Sequence, residues 1–180
     1  MIVAAADREA VRRQLGRTPR GLRRVAHRCR CGLPDVVETA PRLEDGTPFP
    51  TTFYLTCPRA ARAVGTLEAD GMMARMTEQL RADPELRAGY RAAHEDYLAR
   101  RAAISRDAVD RDAIDRVPEI AGVSAGGMPG RVKCLHVLVA HSLAAGPGVN
   151  PLGDQALAAL EPWGLDGPCV PVPTSEPEPE

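Results

Sequence analysis

Lysine is almost missing from this chain. Of 23 basic residues only Lys133 is a lysine, and the rest are arginines. GC-rich codon usage is the simplest source of that bias, though arginine is also the better partner for bidentate phosphate or carboxylate contacts. Aromatic residues are scarce, with two Phe, three Tyr and one Trp. An excess of one charge sign is lacking as well. A formal net charge of -1 and a pI near 6.4 exclude a strongly basic nucleic-acid binder. The composition also excludes a collagen and a disulfide scaffold. No apolar run reaches the ~20 residues that span a bilayer. The most apolar stretch, residues 132–145, carries Lys133, His136 and His141. The N-terminal sequence MIVAAADREAVRRQLG has no basic region followed by an apolar run, so no signal peptide is expected. The expected compartment is cytoplasmic. There the five cysteines point to metal binding, thiol chemistry or inert burial rather than disulfides.

What is present fits one domain. A chain of 180 residues can bury roughly 70% of its unfolded surface, so it needs no metal or disulfide merely to fold. Residues 6–15 read as a short helix with Asp7 at its start and Gly16 as its stop. Three strands are expected at residues 22–28, 36–40 and 51–56, joined by short turn-rich connectors. Such connectors favour an antiparallel meander. Pro58 opens a helix to about residue 68, and further helices are expected at residues 70–82 and 83–104. In the longest of these, Leu86, Tyr90, Ala93, Tyr97 and Ile104 form the inward seam. Residues 105–119 read as a helix extension or a linker. Pro129 is expected to open a helix to about residue 145, and residues 152–160 a terminal one. The fold class is therefore α+β, a small three-stranded antiparallel meander packed against five or six helices. The domain is expected to span residues 1–163, with a Pro/Glu-rich disordered tail at 164–180 in which Cys169 plays no part.

The meander groups cysteines that are far apart in sequence. Cys29 follows the first strand and Cys57 the third, so both should lie at one end of the sheet, near Cys31. If the helix containing Cys134 crosses that end, Cys29, Cys57 and Cys134 meet. With His136 or Cys31 they make a Cys₃His or Cys₄ site for zinc or an iron–sulfur centre. Cys134 and His136 would be ~200° apart on a regular helix; they converge only if the helix starts late. His27 and His141 are further candidates. A second chemistry is a thiol-dependent enzyme, with Cys134 as nucleophile, His136 or His141 as base, and an anionic substrate held by Arg131 and Lys133. That anion site would sit at a glycine-rich helix entry. A third is an adaptor. Nine arginines against one acidic residue between Arg8 and Arg30 could dock an acidic protein or a polyanion.

The segments HRCRCGLPDVVETAPRLEDGTPFPTTFYLTCP and SAGGMPGRVKCLHVLVAHSLAAGPGVNPLGDQAL resemble a bacterial, mainly actinobacterial, family called domain of unknown function 501. The resemblance covers about residues 7–160. It implies shared residues at Cys29, Cys57, Arg131, Lys133, Cys134, His136 and His141. It does not imply a cysteine at Cys31, which favours Cys29, Cys57 and Cys134 with a histidine. Genes of the family often lie beside those for a septum-formation initiator and an exopolyphosphatase. The resemblance thus implies a link to cell division or phosphate metabolism without naming a reaction.

Overall fold

The computed structural model describes residues 3–106 and 117–171, with side chains of 105 and 106 excepted. Helix α1 spans Ala5–Leu15, and the strands are β1 (Leu22–Arg28), β2 (Pro34–Thr39) and β3 (Phe53–Leu55). Helices α2 (Pro58–Ala69), α3 (Met72–Ala82) and α4 (Pro84–Arg106) follow. A short 3-10 turn covers Pro118–Ile120, and α5 (Leu135–Ala145) and α6 (Pro151–Ala158) complete the described residues. The fold is α+β, as the alternating and helical periods require. Most of the expected linker at 105–119 lies outside the described residues.

The sheet order is β1-β2-β3 and both pairings are antiparallel. Val25 pairs with Val37, Arg28 with Pro34 and Val36 with Leu55. The β1–β2 turn is tight: the Gly32 N–H donates to the Cys29 carbonyl, and Gly32 takes a φ of 83°, which favours glycine. All six residues of β2 are buried, two of them acidic. Asp35 accepts from His27 at 2.7 Å, and Glu38 accepts from Arg24 at 2.6 Å. Each buried carboxylate thus has one partner on β1, while Asp35 Oδ2 has none among the described residues.

One face of the sheet packs on α5, which also touches α2 and α6. The core joins Val36, Phe53 and Leu55 of the sheet to Val64, Met76, Tyr90, Tyr97, Leu138 and Leu152. Tyr90, Ala93 and Tyr97 are fully buried, as the seam on α4 predicts. With so few aromatic rings, placement matters. Phe53, Tyr97 and His141 stack and abut at centroid distances of 5.1–5.7 Å.

The largest departure from the sequence expectation is the start of α5. Pro129 does not open it; the helix begins at Leu135 with Cys134 as N-cap. Residues 129–134 have other hydrogen-bond partners. The Val132 N–H donates to Thr77 Oγ1 and the Lys133 N–H to the Gly126 carbonyl. Gly126 and Gly127 hold φ values of 71° and 93°, outside the helical region.

Candidate metal centre

The late helix start creates the site. Cys134 has φ -157° and ψ 116°, so its side chain is not set by the helical 200° offset from His136. The Cys134 Sγ lies 3.9 Å from His136 Nδ1. The same ring nitrogen lies 3.1 Å from Glu68 Oε1, near the C-terminal end of α2. One ligand atom from each of Glu68, Cys134 and His136 falls within 4.8 Å of the other two, the one such trio among the described residues. All three side chains are half-buried, so the trio is reachable from solvent.

Two further bonds fix the geometry. The His136 Nε2 lies 3.0 Å from the Ala61 carbonyl. A carbonyl only accepts, so Nε2 carries a proton and Nδ1 is turned to Cys134 and Glu68. The Leu135 N–H donates to Glu68 Oε1 at 2.6 Å, so a carboxylate from α2 satisfies the first free amide of α5. Hydrogen bonding to Cys134, then to Glu68, outweighs burial and raises the His136 pKa to about 9. Without an ion the ring is therefore an imidazolium near neutral pH.

The other sequence candidates go to different places. Cys29 closes β1 and Cys57 caps α2, both beside the start of β2, where the meander topology puts them. The structure does not bring Cys134 to them. Cys57 stands at the start of α2 and Glu68 near its end, about 16 Å along the axis at 1.5 Å per residue. His27 pairs with Asp35, whose other oxygen is buried without a partner. His141 is fully buried on α5. Its Nε2 lies 2.9 Å from Asp96 Oδ2, and Asn150 Nδ2 lies 3.3 Å from its Nδ1. An amide nitrogen only donates, so Nδ1 accepts and Nε2 donates. Arg131 and Lys133 are exposed in the irregular segment before α5. The helix N-terminus they would share with an anion already holds Glu68.

Much of the Arg-rich segment is paired within the chain. Arg12 and Arg13 bind Glu9, Arg20 binds Asp45, Arg24 binds Glu38 and Arg28 binds Asp7. A cleft of about 680 Å³, lined by Arg23, Arg24, Arg28 and Arg100 with Asp7 and Glu38, lies away from Cys134.

Glu68 was not singled out in the sequence. A signal existed: Cys57, Ala61, Val64 and Glu68 recur at 4-3-4 spacing, so the carboxylate continues the inward stripe of α2. Among the described residues no helix is long and apolar enough to cross a membrane. No curated protein and no solved structure matches the chain. Residues 25–158, most of the chain, match the model of a family described as protein of unknown function (DUF501), and the chain belongs to that family.

Proposed function

We propose that this protein binds a zinc-type divalent ion through Cys134, His136 and Glu68. The supporting observation is the trio itself, with the far nitrogen of its histidine held by a backbone carbonyl. From the usual zinc bond lengths and a tetrahedral angle, S···N and N···O separations of about 3.6 and about 3.4 Å are needed. The observed 3.9 and 3.1 Å are a few tenths of an ångström from these values. The Ala61 carbonyl supplies the outer hydrogen bond that sets the tautomer of a metal-ligating histidine. Soft thiolate with imidazole and carboxylate suits zinc, whereas an iron–sulfur cluster wants several thiolates. Three protein ligands leave a fourth position for water or for a donor from a bound molecule.

The geometry favours an ion over a thiol–imidazole relay. A relay needs the thiol on one ring nitrogen and the carboxylate on the other. Here thiol and carboxylate both face Nδ1, and Nε2 is spent on Ala61. The test is metal analysis of protein purified under nitrogen and reconstituted with zinc. His136→Ala and Cys134→Ser should each bind one zinc fewer than the parent chain. Equal metal content in the parent and both variants overturns the reading.

A further inference from the structure

The second face of the sheet carries a cavity. Along β2 and β3, Val36, Phe53 and Leu55 join the core, so Val37 and Tyr54 point the other way. Val37 and Tyr54 are register partners, and with Leu22 of β1 they form the floor of a cavity of about 220 Å³. Leu15, the last residue of α1, closes one side. Leu43 and Phe49, on the connector between β2 and β3, close another. Arg17 and Arg20 also line it, and both are exposed, which puts them at the mouth.

The connector is bonded to itself and to its surroundings. The Leu43 N–H donates to the Thr47 carbonyl at 2.9 Å, and the Phe49 N–H to the Pro41 carbonyl at 2.7 Å. Arg42 pairs with Glu119 at 3.0 Å, and Arg20 pairs with Asp45. Leu43 lies against Gly21, whose φ of 61° favours glycine. These bonds fix the walls without filling the space between them.

We propose that this cavity binds a small aromatic acid, with its ring among Leu22, Val37, Phe49 and Tyr54 and its carboxylate on the arginines at the mouth. The lining supports the ring. The chain has only two Phe, three Tyr and one Trp. Phe53, Tyr90 and Tyr97 fill the core and Trp163 packs against it, whereas Phe49 and Tyr54 are spent on this cavity. Charge supports the acid. Two arginines and no acidic residue line the space. The Arg17 guanidinium and the Tyr54 hydroxyl have no hydrogen-bond or ion-pair partner among the described residues. Arg20 spends one donor on Asp45 and keeps the others. An apolar pocket with a few convergent polar groups is the usual form of a small-molecule site. Size limits the ligand. An apolar cavity of about 150 Å³ takes one benzene molecule, so the volume here admits a ring with a short acid arm and excludes a nucleotide. The cavity lies across the sheet from α5, so binding there does not depend on the Glu68–Cys134–His136 centre.

Amide spectra of the isotope-labelled full-length protein, titrated with phenylacetate, test this. Chelator is present so that no ion takes the carboxylate. Saturable shifts should appear at Leu22, Val37 and Tyr54, with one site per chain. Phenylethanol, which keeps the ring and lacks the charge, should bind about tenfold more weakly. Arg17→Ala should lose a similar factor, as expected for a hydrogen bond to a charged group. Leu22→Trp, which fills the cavity, should abolish the shifts. The alcohol and the exposed Arg17 leave the core untouched, so those comparisons stand even if Leu22→Trp fails to fold. Shifts that never saturate in the millimolar range overturn the proposal. So does equal affinity for acid and alcohol, or equal affinity of the parent chain and Arg17→Ala. Shifts of the same amides that grow with protein concentration alone would assign the cavity to a second copy of this chain and overturn it as well.

Discussion

Two histidines on one helix respond to pH in opposite directions. Burial of His141 lowers its pKa below the ordinary value, against the raising effect of Asp96. In the folded state the ring stays neutral where the unfolded chain has begun to bind a proton. The stability it supports is therefore complete above about 6.5 and lost as the pH falls below that value. Nitrogen-detected spectra at pH 6 should show the neutral Nε2–H tautomer, and a ring titrating at or above 6.5 would refute this assignment. In metal-free protein His136 behaves the other way. Its raised pKa of about 9 gives stability that is full below about 6.5 and lost as the pH rises toward 9. Glu68→Gln, measured in chelator, should flatten that alkaline loss. Lys133, alone of its kind, is exposed, and its ammonium has no hydrogen-bond or ion-pair partner among the described residues. Lys133→Arg should change stability by less than about 0.5 kcal/mol in urea unfolding. Cys134 and His136 were legible as a pair because residue type and spacing stand in the sequence. Glu68 was hidden because a carboxylate on a helix is ordinarily solvated, and only the late start of α5 turns an amide toward it.

At the level of elements, the strands and the first four helices follow from periodicity and turn residues, to within two or three residues at their ends. The start of α5 does not, because the deciding bonds come from elsewhere: Thr77 on α3 and Glu68 on α2 capture amides that a continuous helix would have used. Proline at a first helical position is a local preference, and tertiary hydrogen bonds outweigh it here. The α5–α6 packing has a comparable dependence. Gly153, inside α6, lies against the Leu138 carbonyl and the Ser142 hydroxyl of α5, and a Cβ would overlap both. A backbone carbonyl in a buried helix cannot swing aside. Gly153→Ala should therefore cost about 3 kcal/mol, the upper end of usual overpacking penalties, read as a lower urea midpoint. A change under about 0.5 kcal/mol would mean the two helices separate more easily than their packing indicates.

On the scale of the whole molecule, composition and contact disagree about where the domain ends. Proline, glycine and glutamate mark residues 164–180 as a tail, yet 164–171 are bonded to α1 and α2 through Arg13, Gln14 and Arg59. Composition scores what a segment can bury by itself, and this strap contributes one half-buried cysteine and several carbonyls to partners far away in sequence. Deleting residues 164–180 removes the four side-chain bonds that Arg13, Gln14 and Arg59 make to the described residues 164–171, most of them near the surface, for a loss of about 2 kcal/mol. In a domain of this size that lowers the melting temperature by about 4–8 °C. Deletion should also expose Cys57, now fully buried, with burial first among the causes that push its thiol up to about 12. In the full chain Cys57 should resist alkylation at neutral pH under native conditions. In the truncated chain it should be alkylated far faster, with the label located by peptide mass. An unchanged melting temperature together with an unreactive Cys57 would show that the domain is complete without the strap.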